Sequence, residues 1–467
     1  MTSAIWWIRR DVRLHDQQAL RAALDGHQSI LPVFIQDPAL MRSPYFSDRR
    51  WRFLLAGLRE LDSELKKRGS RLFFFKGSPL QILSGLIADG FARHIFAEED
   101  VTPFSKKRDR RIQSSLPATF TSGLSLMPFQ SVTTRSGGTY HVYTPFRNAL
   151  LAHPMLHGMQ PLPTPDLIPL PGRQPESLPI PDAPTGDLRP FQPGETAGLE
   201  RLEAFTSGSA PPIYGYAEGR NGLFQPGTAH LSPYFRFGML SIRSAFQAAS
   251  DAIHRSQAAD ERKAAQTWQD QLIWREFFIN ILDQYPHART QSFRPQYRSM
   301  PWINAPKDFE AWKEGQTGYP IVDAAMRQLR DEGWIPNRAR LVVASFLVKH
   351  LLIDWRWGEK WFMQQLLDGD PAQNNGGWQW SAGTGTDAAP YFRIFNPILQ
   401  SKRYDSNGEY IRKYVPELAA LDPGTIHEPW KKPEEERNGY PNPIIEHSFA
   451  RERALATYAK VREDSTS

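Results

Sequence analysis

Short apolar runs alternate with amphipathic stretches over the first 130 residues. The runs AIWWI (4–8), ILPVFI (30–35), RLFFF (71–75) and RHIFA (93–97) are bounded by turn residues and predict buried strands. Between them, the stretch from Arg49 to Lys67 places Leu54, Leu55, Leu58 and Leu61 on one helical face. Strand–helix alternation predicts an α/β domain with a parallel, doubly wound sheet covered on both faces. No G-x-G-x-x-G follows any of these runs and no P-loop string occurs, so a conventional dinucleotide site is not expected in this part of the chain.

Residues 154–193 hold 12 of the 39 prolines. That density is incompatible with helix and sheet interiors alike and predicts a surface linker. From about Leu199 the pattern turns helical. VDAAMRQLRDEGW (322–334), NRARLVVASFLVKHLLIDW (337–355) and EKWFMQQLLDG (359–369) all show 3.6-residue spacing. Asp308 and Asp323 read as helix starts, Gly333 and Gly369 as stops. The expected division is an α/β domain (1–130), a Pro-rich linker (131–200) and an all-α domain (201–467).

Composition narrows the chemistry. The 467-residue chain has no cysteine, which removes disulfides, Fe–S clusters, Cys-ligated zinc and thiol catalysis. The apolar stretch Ala4–Ile8 is too short for a signal peptide, and no run approaches membrane-spanning length. A soluble, cytoplasmic protein is expected. The net charge of +6 divides as +7 over residues 1–130, −2 over 131–200 and +1 over 201–467. Composition alone therefore does not announce a nucleic-acid binder, and any such affinity must come from a local arrangement of basic residues.

Two segments of the helical half concentrate small and polar residues. Gly227 to Pro233 leads into a helix, and Thr and Ser hydroxyls with backbone N–H groups at a helix start suit either a phosphate or a plain cap. Asp368 to Gly377 offers two carboxylates, two adjacent Asn and two adjacent Gly before Trp378 and Trp380. Small residues let a flat ligand approach the backbone, and Asp and Asn can fix its polar edge; a turn-rich loop is the bland alternative. Together the two segments suggest a pocket for a large phosphorylated aromatic cofactor.

The strings WWIRRDVRLHDQQAL, GTAHLSPYFRFGMLS, QLIWREFF, TGYPIVDAAMRQL, NRARLVVASFLVK, IDWRWGEKWF, DGDPAQNNGGWQW and TDAAPYFRIFNP resemble, in order and spacing, the photolyase/cryptochrome family. The similarity is greatest to class I cyclobutane pyrimidine dimer photolyases. YHVYTPF (140–146) resembles the interdomain strand of that family. The resemblance implies a non-covalent FAD held by Tyr216, Thr228, Leu231, Ser232, Trp268, Arg275, Asn337, Arg340, Asp368, Asp370 and Asn374. Of these, Thr228, Ser232 and Arg275 suit the pyrophosphate, Asp370 the isoalloxazine edge, and Asn374 the neighbourhood of flavin N5. Trp302, Trp355 and Trp378 match a tryptophan relay that reduces the flavin, and Trp274 and Trp380 match walls for the lesion. Arg220, Arg338, Arg393 and Lys402 match contacts to phosphates or lesion. The implied activity is light-driven electron transfer from reduced FAD to the dimer in UV-damaged DNA, by a monomer without metal or obligate protein partner. The short polar tail favours this over the alternative, a cryptochrome photoreceptor.

Two lesion-facing positions depart from the dimer-repairing pattern. Gln271 stands where Glu is usual, and Leu341 where Met is usual. The second change conserves shape. The first replaces a charged hydrogen bond, worth roughly 1.5–3 kcal/mol, by a neutral one of roughly 0.5–1.5 kcal/mol, which predicts slower repair. Gln here also resembles (6-4) photolyases, but those carry a His pair before the N-R-x-R helix, whereas this chain reads GWIPNR with no imidazole to donate a proton. The cyclobutane dimer is therefore the expected substrate. Folate-antenna photolyases place Glu near Phe104–Ser105, and this chain has none there, so the identity of any second chromophore in the N-terminal domain stays open.

Overall fold

A computed structural model describes residues 2–182, 188, 190–224 and 227–464. Residues 183–187 and 189 of the Pro-rich segment and the last three residues of the polar tail lie outside the described residues. The chain forms two compact units. The first combines Met1–Tyr214, Ala229–Pro286 and Leu367–Ala372; the second combines Gly215–Thr228, His287–Leu366 and Gln373–Ser467.

The first unit is built on a five-stranded parallel sheet of β1 (Ser3–Ile8), β2 (Ser29–Gln36), β3 (Phe73–Lys76), β4 (His94–Glu98) and β5 (Ala118–Thr121), in the order β3-β2-β1-β4-β5. Central β1 is buried from Ala4 to Ile8, which is why its run is continuously apolar rather than alternating. Ile5 pairs in register with Leu31 on one side and Ile95 on the other, and all three belong to one buried cluster. The helix expected from Arg49 spans Asp48–Lys67. β5 was not predicted: its sequence ATFT is an edge strand with no fully buried position, so it lacks the apolar run that marks the others.

Two expectations need correction. YHVYTPF forms no strand; a helix, Tyr143–Leu151, starts within it, with Val142 extended as its N-cap. Pro145 falls in the first turn, where its missing N–H leaves no hydrogen bond unmade. In the second unit the predicted helix 337–355 is interrupted. It runs as an α-helix over Asn337–Ser345, widens to a π-helical turn over Phe346–His350 and stops. Leu352 takes a left-handed φ of +47°, and Asp354 then caps a new helix, Trp355–Gln365, by accepting from Arg356 N at 3.0 Å. That new helix replaces the one expected over 359–369, and it ends short of Gly369. Gly333, in contrast, ends Pro320–Glu332 with φ +68°, as expected.

The π turn places Lys349 in the core. It is 1% exposed, donates to the carbonyls of Ala382 at 3.2 Å and Tyr391 at 3.4 Å, and sits 3.5 Å over the Tyr458 ring. Burial pulls its ammonium down to about 7. A larger apolar cluster of the second unit includes Trp312, Trp355 and Trp378. Among the described residues no helix is long and apolar enough to cross a membrane.

In the first unit, Arg13 is a buried hub. It donates to Glu98 at 2.7 Å and to the carbonyls of His15, Asp16, Gly123 and Gly238. Gly238 ends the helix Ser232–Phe237 at φ +62°, and a Cβ there would stand 2.1 Å from Arg10 O. Gly238→Ala therefore meets both a disfavoured backbone and a backbone clash, and should lower stability by roughly 2 kcal/mol or more, read from the denaturation midpoint. For Lys349 the unfolded chain binds its proton up to about pH 10.4 and the folded chain only up to about 7. Between those values the unfolded state holds more protons, so stability rises with pH. The urea midpoint of the parent protein, relative to Lys349→Met, should accordingly rise from pH 7 to pH 9.

Candidate active site

Within the first unit, the predicted residues lie on three segments. Ser232 opens the helix Ser232–Phe237, and Leu231, buried before it, supplies the carbonyl that accepts from Phe235 N at 3.2 Å. Trp268, Gln271, Trp274 and Arg275 lie on the helix Ala259–Gln284. Trp268 is buried against Phe205, ring centroids 5.3 Å apart. The Arg275 guanidinium donates to Leu124 O at 2.9 Å and to Glu276 at 3.1 Å. Burial holds it below its ordinary value, with Glu276 and Asp370 opposing. Gln271 is half-buried, and its amide nitrogen donates to Thr267 O, one turn back, at 3.3 Å. Trp274 lies face-on to Tyr143, centroids 3.8 Å apart and planes within 4°.

Asp368 and Asp370 are buried in the same unit. Asp370 pairs with Arg10, which also reaches Asp100 at 3.6 Å, and accepts from Ala372 N at 2.9 Å. The second bond makes Asp370 the N-cap of the helix Pro371–Ala382. Asp368 to Gly377, read as a candidate loop, is thus mostly helix. The signal was present: Asp followed by Pro is a cap followed by a residue suited to the first helical position. Two arginines not anticipated from sequence accompany the aspartates, buried Arg50 and half-buried Arg236. Burial lowers Arg50 to about 9 and Arg236 to about 10, while Asp368 and Asp370 respectively oppose the fall.

Within the second unit, Asn374 donates its amide nitrogen to the carbonyl of Glu359 at 2.9 Å and to its carboxyl at 3.1 Å. Glu359 presents two acceptors, so the NH₂ end must face it and Oδ1 is the atom left to meet a ligand. Burial raises the Glu359 carboxyl, against Arg289 at 3.0 Å. Glu359 and Arg289 were not foreseen, because neither spacing nor composition distinguishes them. Tyr216 is buried, and its hydroxyl is pushed up to about 12 by burial. Thr228 Oγ1 is buried with no hydrogen-bond partner among the described residues, a donor and acceptor awaiting a polar group. Asn337 is the exposed first residue of its helix, and Arg340 donates to Ile335 O at 3.0 Å. These residues fit a polar, partly phosphorylated ligand.

Trp355 and Trp378 are buried in one cluster, with half-buried Trp302 packed against it. The Trp378 ring lies 5.0 Å from Phe362 and 6.1 Å from Trp312. Gly358 makes this packing possible, since a Cβ there would stand 2.1 Å from the Trp378 ring. Half-buried Trp380 holds the following loop, its carbonyl accepting from Gly383 N and Ala389 N at 3.2 Å each. Leu341 is half-buried.

The predicted cations behave unequally. Arg338 stacks on Tyr404 at 4.3 Å and donates to Asn221 at 2.8 Å and Gln400 at 3.4 Å. Burial depresses it, and the cations of Arg403, Arg220 and Arg393 depress it further, against Tyr404. Three predicted arginines therefore share one neighbourhood, joined by Arg403, which the sequence reading missed. Lys402 is instead paired with Glu428 at 2.5 Å.

Comparisons with known proteins identify the family. Residues 268–460 match the family model described as the FAD binding domain of DNA photolyase, and residues 4–166 match the model described as DNA photolyase. The chain is 37% identical over 484 residues to the deoxyribodipyrimidine photo-lyase of Agrobacterium fabrum, covering 98% of each chain. The structure of a bacterial class III photolyase from Agrobacterium tumefaciens superposes with a TM-score of 0.90 at 36% identity, covering 99% of this chain and 98% of the other. That of an archaeal photolyase from Sulfolobus tokodaii, described with two FAD molecules, superposes with 0.84 at 32% identity, covering 98% and 100%. The chain belongs to the DNA photolyase family, with an N-terminal parallel-sheet domain and a helical FAD-binding domain.

Proposed function

We propose that this protein is a light-driven lyase that repairs cyclobutane pyrimidine dimers in UV-damaged DNA, acting as a cytoplasmic monomer. The observation that carries the DNA part is the gathering of Arg220, Arg393 and Arg403 around Arg338, in the unit that also holds Asn374 and the buried tryptophans. A generic flavin carrier has no need of such a cluster, whereas phosphates do. The relatives named deoxyribodipyrimidine photo-lyase support the same reading.

Reduced FAD, when bound, supplies the light-excited electron donor. The chain's part is to hold and place. Thr228, Ser232 and Arg275 bind the pyrophosphate, with Tyr216, Leu231, Trp268, Asn337, Arg340, Asp368 and Asp370 completing the set. Asn374, its nitrogen held by Glu359, would offer Oδ1 to the bound cofactor as a neutral acceptor. Trp378, Trp355 and Trp302, packed in or against one cluster, would serve as the relay that brings electrons to the bound cofactor. Trp274 and Trp380 would each offer an aromatic face in place of the base stacking that a flipped dimer has lost. Gln271 and Leu341 meet the lesion from their helices. We keep residues 201–467 as the FAD- and DNA-binding part, 131–200 as the linker, and 1–130 as the place for any second, light-harvesting chromophore.

The test is illumination of the flavin-loaded protein with a single-stranded oligonucleotide carrying one thymine dimer, beside one carrying a (6-4) lesion. Light should restore the first and leave the second; flavin photoreduction without repair would instead mark a photoreceptor. Gln271→Glu should preserve or raise dimer repair, and a large loss would show that this position was misread. Arg393→Ala should weaken binding of any sequence and reduce the slope of log affinity against log salt by about one, because one phosphate contact is lost.

A further inference from the structure

The structure assigns Tyr143 as a positioning residue for the lesion wall at Trp274. This rests on the reading of Trp274 as a wall of the lesion pocket. It adds a residue from a different helix, one to which the family resemblance gave no role.

Trp274 is half-buried on the helix Ala259–Gln284. The Tyr143 ring covers one of its faces at 3.8 Å with planes 4° apart. Phe277 meets Trp274 edge-on at 5.7 Å, and Phe278 meets it at a tilt at 5.6 Å. An indole backed on one face by a coplanar ring can take a base only on the other face. Tyr143 is itself held by the turn that carries Trp274. Its hydroxyl donates to the carbonyl of Asp270, four residues before Trp274, at 2.9 Å. Arg147, one turn on from Tyr143, pairs with the Asp270 carboxylate. The two helices are thus tied at Asp270, and the phenol and indole planes are fixed together.

A base stacks productively only on a wall that is already oriented. An unbacked indole samples several rotamers, and ordering it on binding would weaken the complex. Tyr143 removes that freedom in advance. It touches neither lesion nor flavin in this account, so its effect must pass through Trp274.

The test is a double-mutant cycle on the flavin-loaded protein in the dark, reading affinity for the thymine-dimer oligonucleotide and for its undamaged counterpart. Tyr143→Leu should bind the dimer roughly three- to tenfold more weakly, the range expected for a lost aromatic pair, with undamaged binding unchanged. Tyr143→Phe keeps the stack and should recover most of that loss. Tyr143→Leu combined with Trp274→Leu should bind no more weakly than Trp274→Leu alone, because the two act as one unit. Tyr143→Met carries the same test should the leucine variant not fold. Normal dimer binding by Tyr143→Leu while Trp274→Leu loses it overturns the assignment and leaves the wall reading intact. Additive losses in the double variant overturn it as well. Normal dimer binding by Trp274→Leu removes the wall reading itself, and the assignment with it.

Discussion

The starting point of the helix Pro371–Ala382 is the constraint on which the site depends. Asp370 caps it through Ala372 N, and Pro371 supplies a first residue that needs no donor. Once that start is fixed, Asn374 and Trp378 fall four residues apart on one face, and Asn375 and Gln379 on the next. Gln379 then locks the register. Its amide donates to Ala288 O at 2.8 Å and Asn375 at 3.0 Å, and accepts from Phe293 N at 2.8 Å. A slip of one residue would turn every side chain by about 100°. It would take Asn374 off Glu359 and Trp378 off Phe362 together.

The same helix shows how a neutral group can be held with the precision of a charge. Asn374 is oriented by Glu359, yet one of the two bonds goes to the Glu359 carbonyl, which accepts at any pH. The carboxyl makes the other bond and is raised by burial, with Arg289 opposing. The orientation therefore does not rest on the ionisation of Glu359 alone. An amide placed this way offers an acceptor without adding a net charge beside a redox cofactor. Gln271 uses one N–H on Thr267 O, which leaves its second N–H and its oxygen to meet a ligand.

The sheet was legible because its central strands are buried on both faces and read as unbroken apolar runs. β5 was not, since an edge strand of four residues without a buried position carries no such signal. The helix 337–355 was misread because apolar periodicity continues across the π turn. Only Asp354 marks the restart, and it resembles an ordinary polar position until its bond to Arg356 N is seen. YHVYTPF was misread for the opposite reason, its β-branched and aromatic residues outweighing a proline that a first helical turn accepts. The site residues expected from sequence sit in short strings of unusual composition. Tyr143, Glu359, Arg289 and Arg403 meet partners distant in sequence, which no local pattern encodes.

Charge was the least legible property, since residues 201–467 carry a net charge of only +1. What matters is which cations keep their charge available. Arg338 is fixed by a tyrosine face and two amides, Asn221 and Gln400, all of them neutral. Its fork is oriented without being neutralised, and Arg220, Arg393 and Arg403 add to the field around it. A field of like sign around one oriented guanidinium favours an arriving anion. Lys402 is oriented by a carboxylate instead, which spends its charge within the protein, and a phosphate would have to displace Glu428 to reach it. Of the four cations singled out by resemblance, Lys402 is therefore the one whose contribution to DNA binding should be smallest.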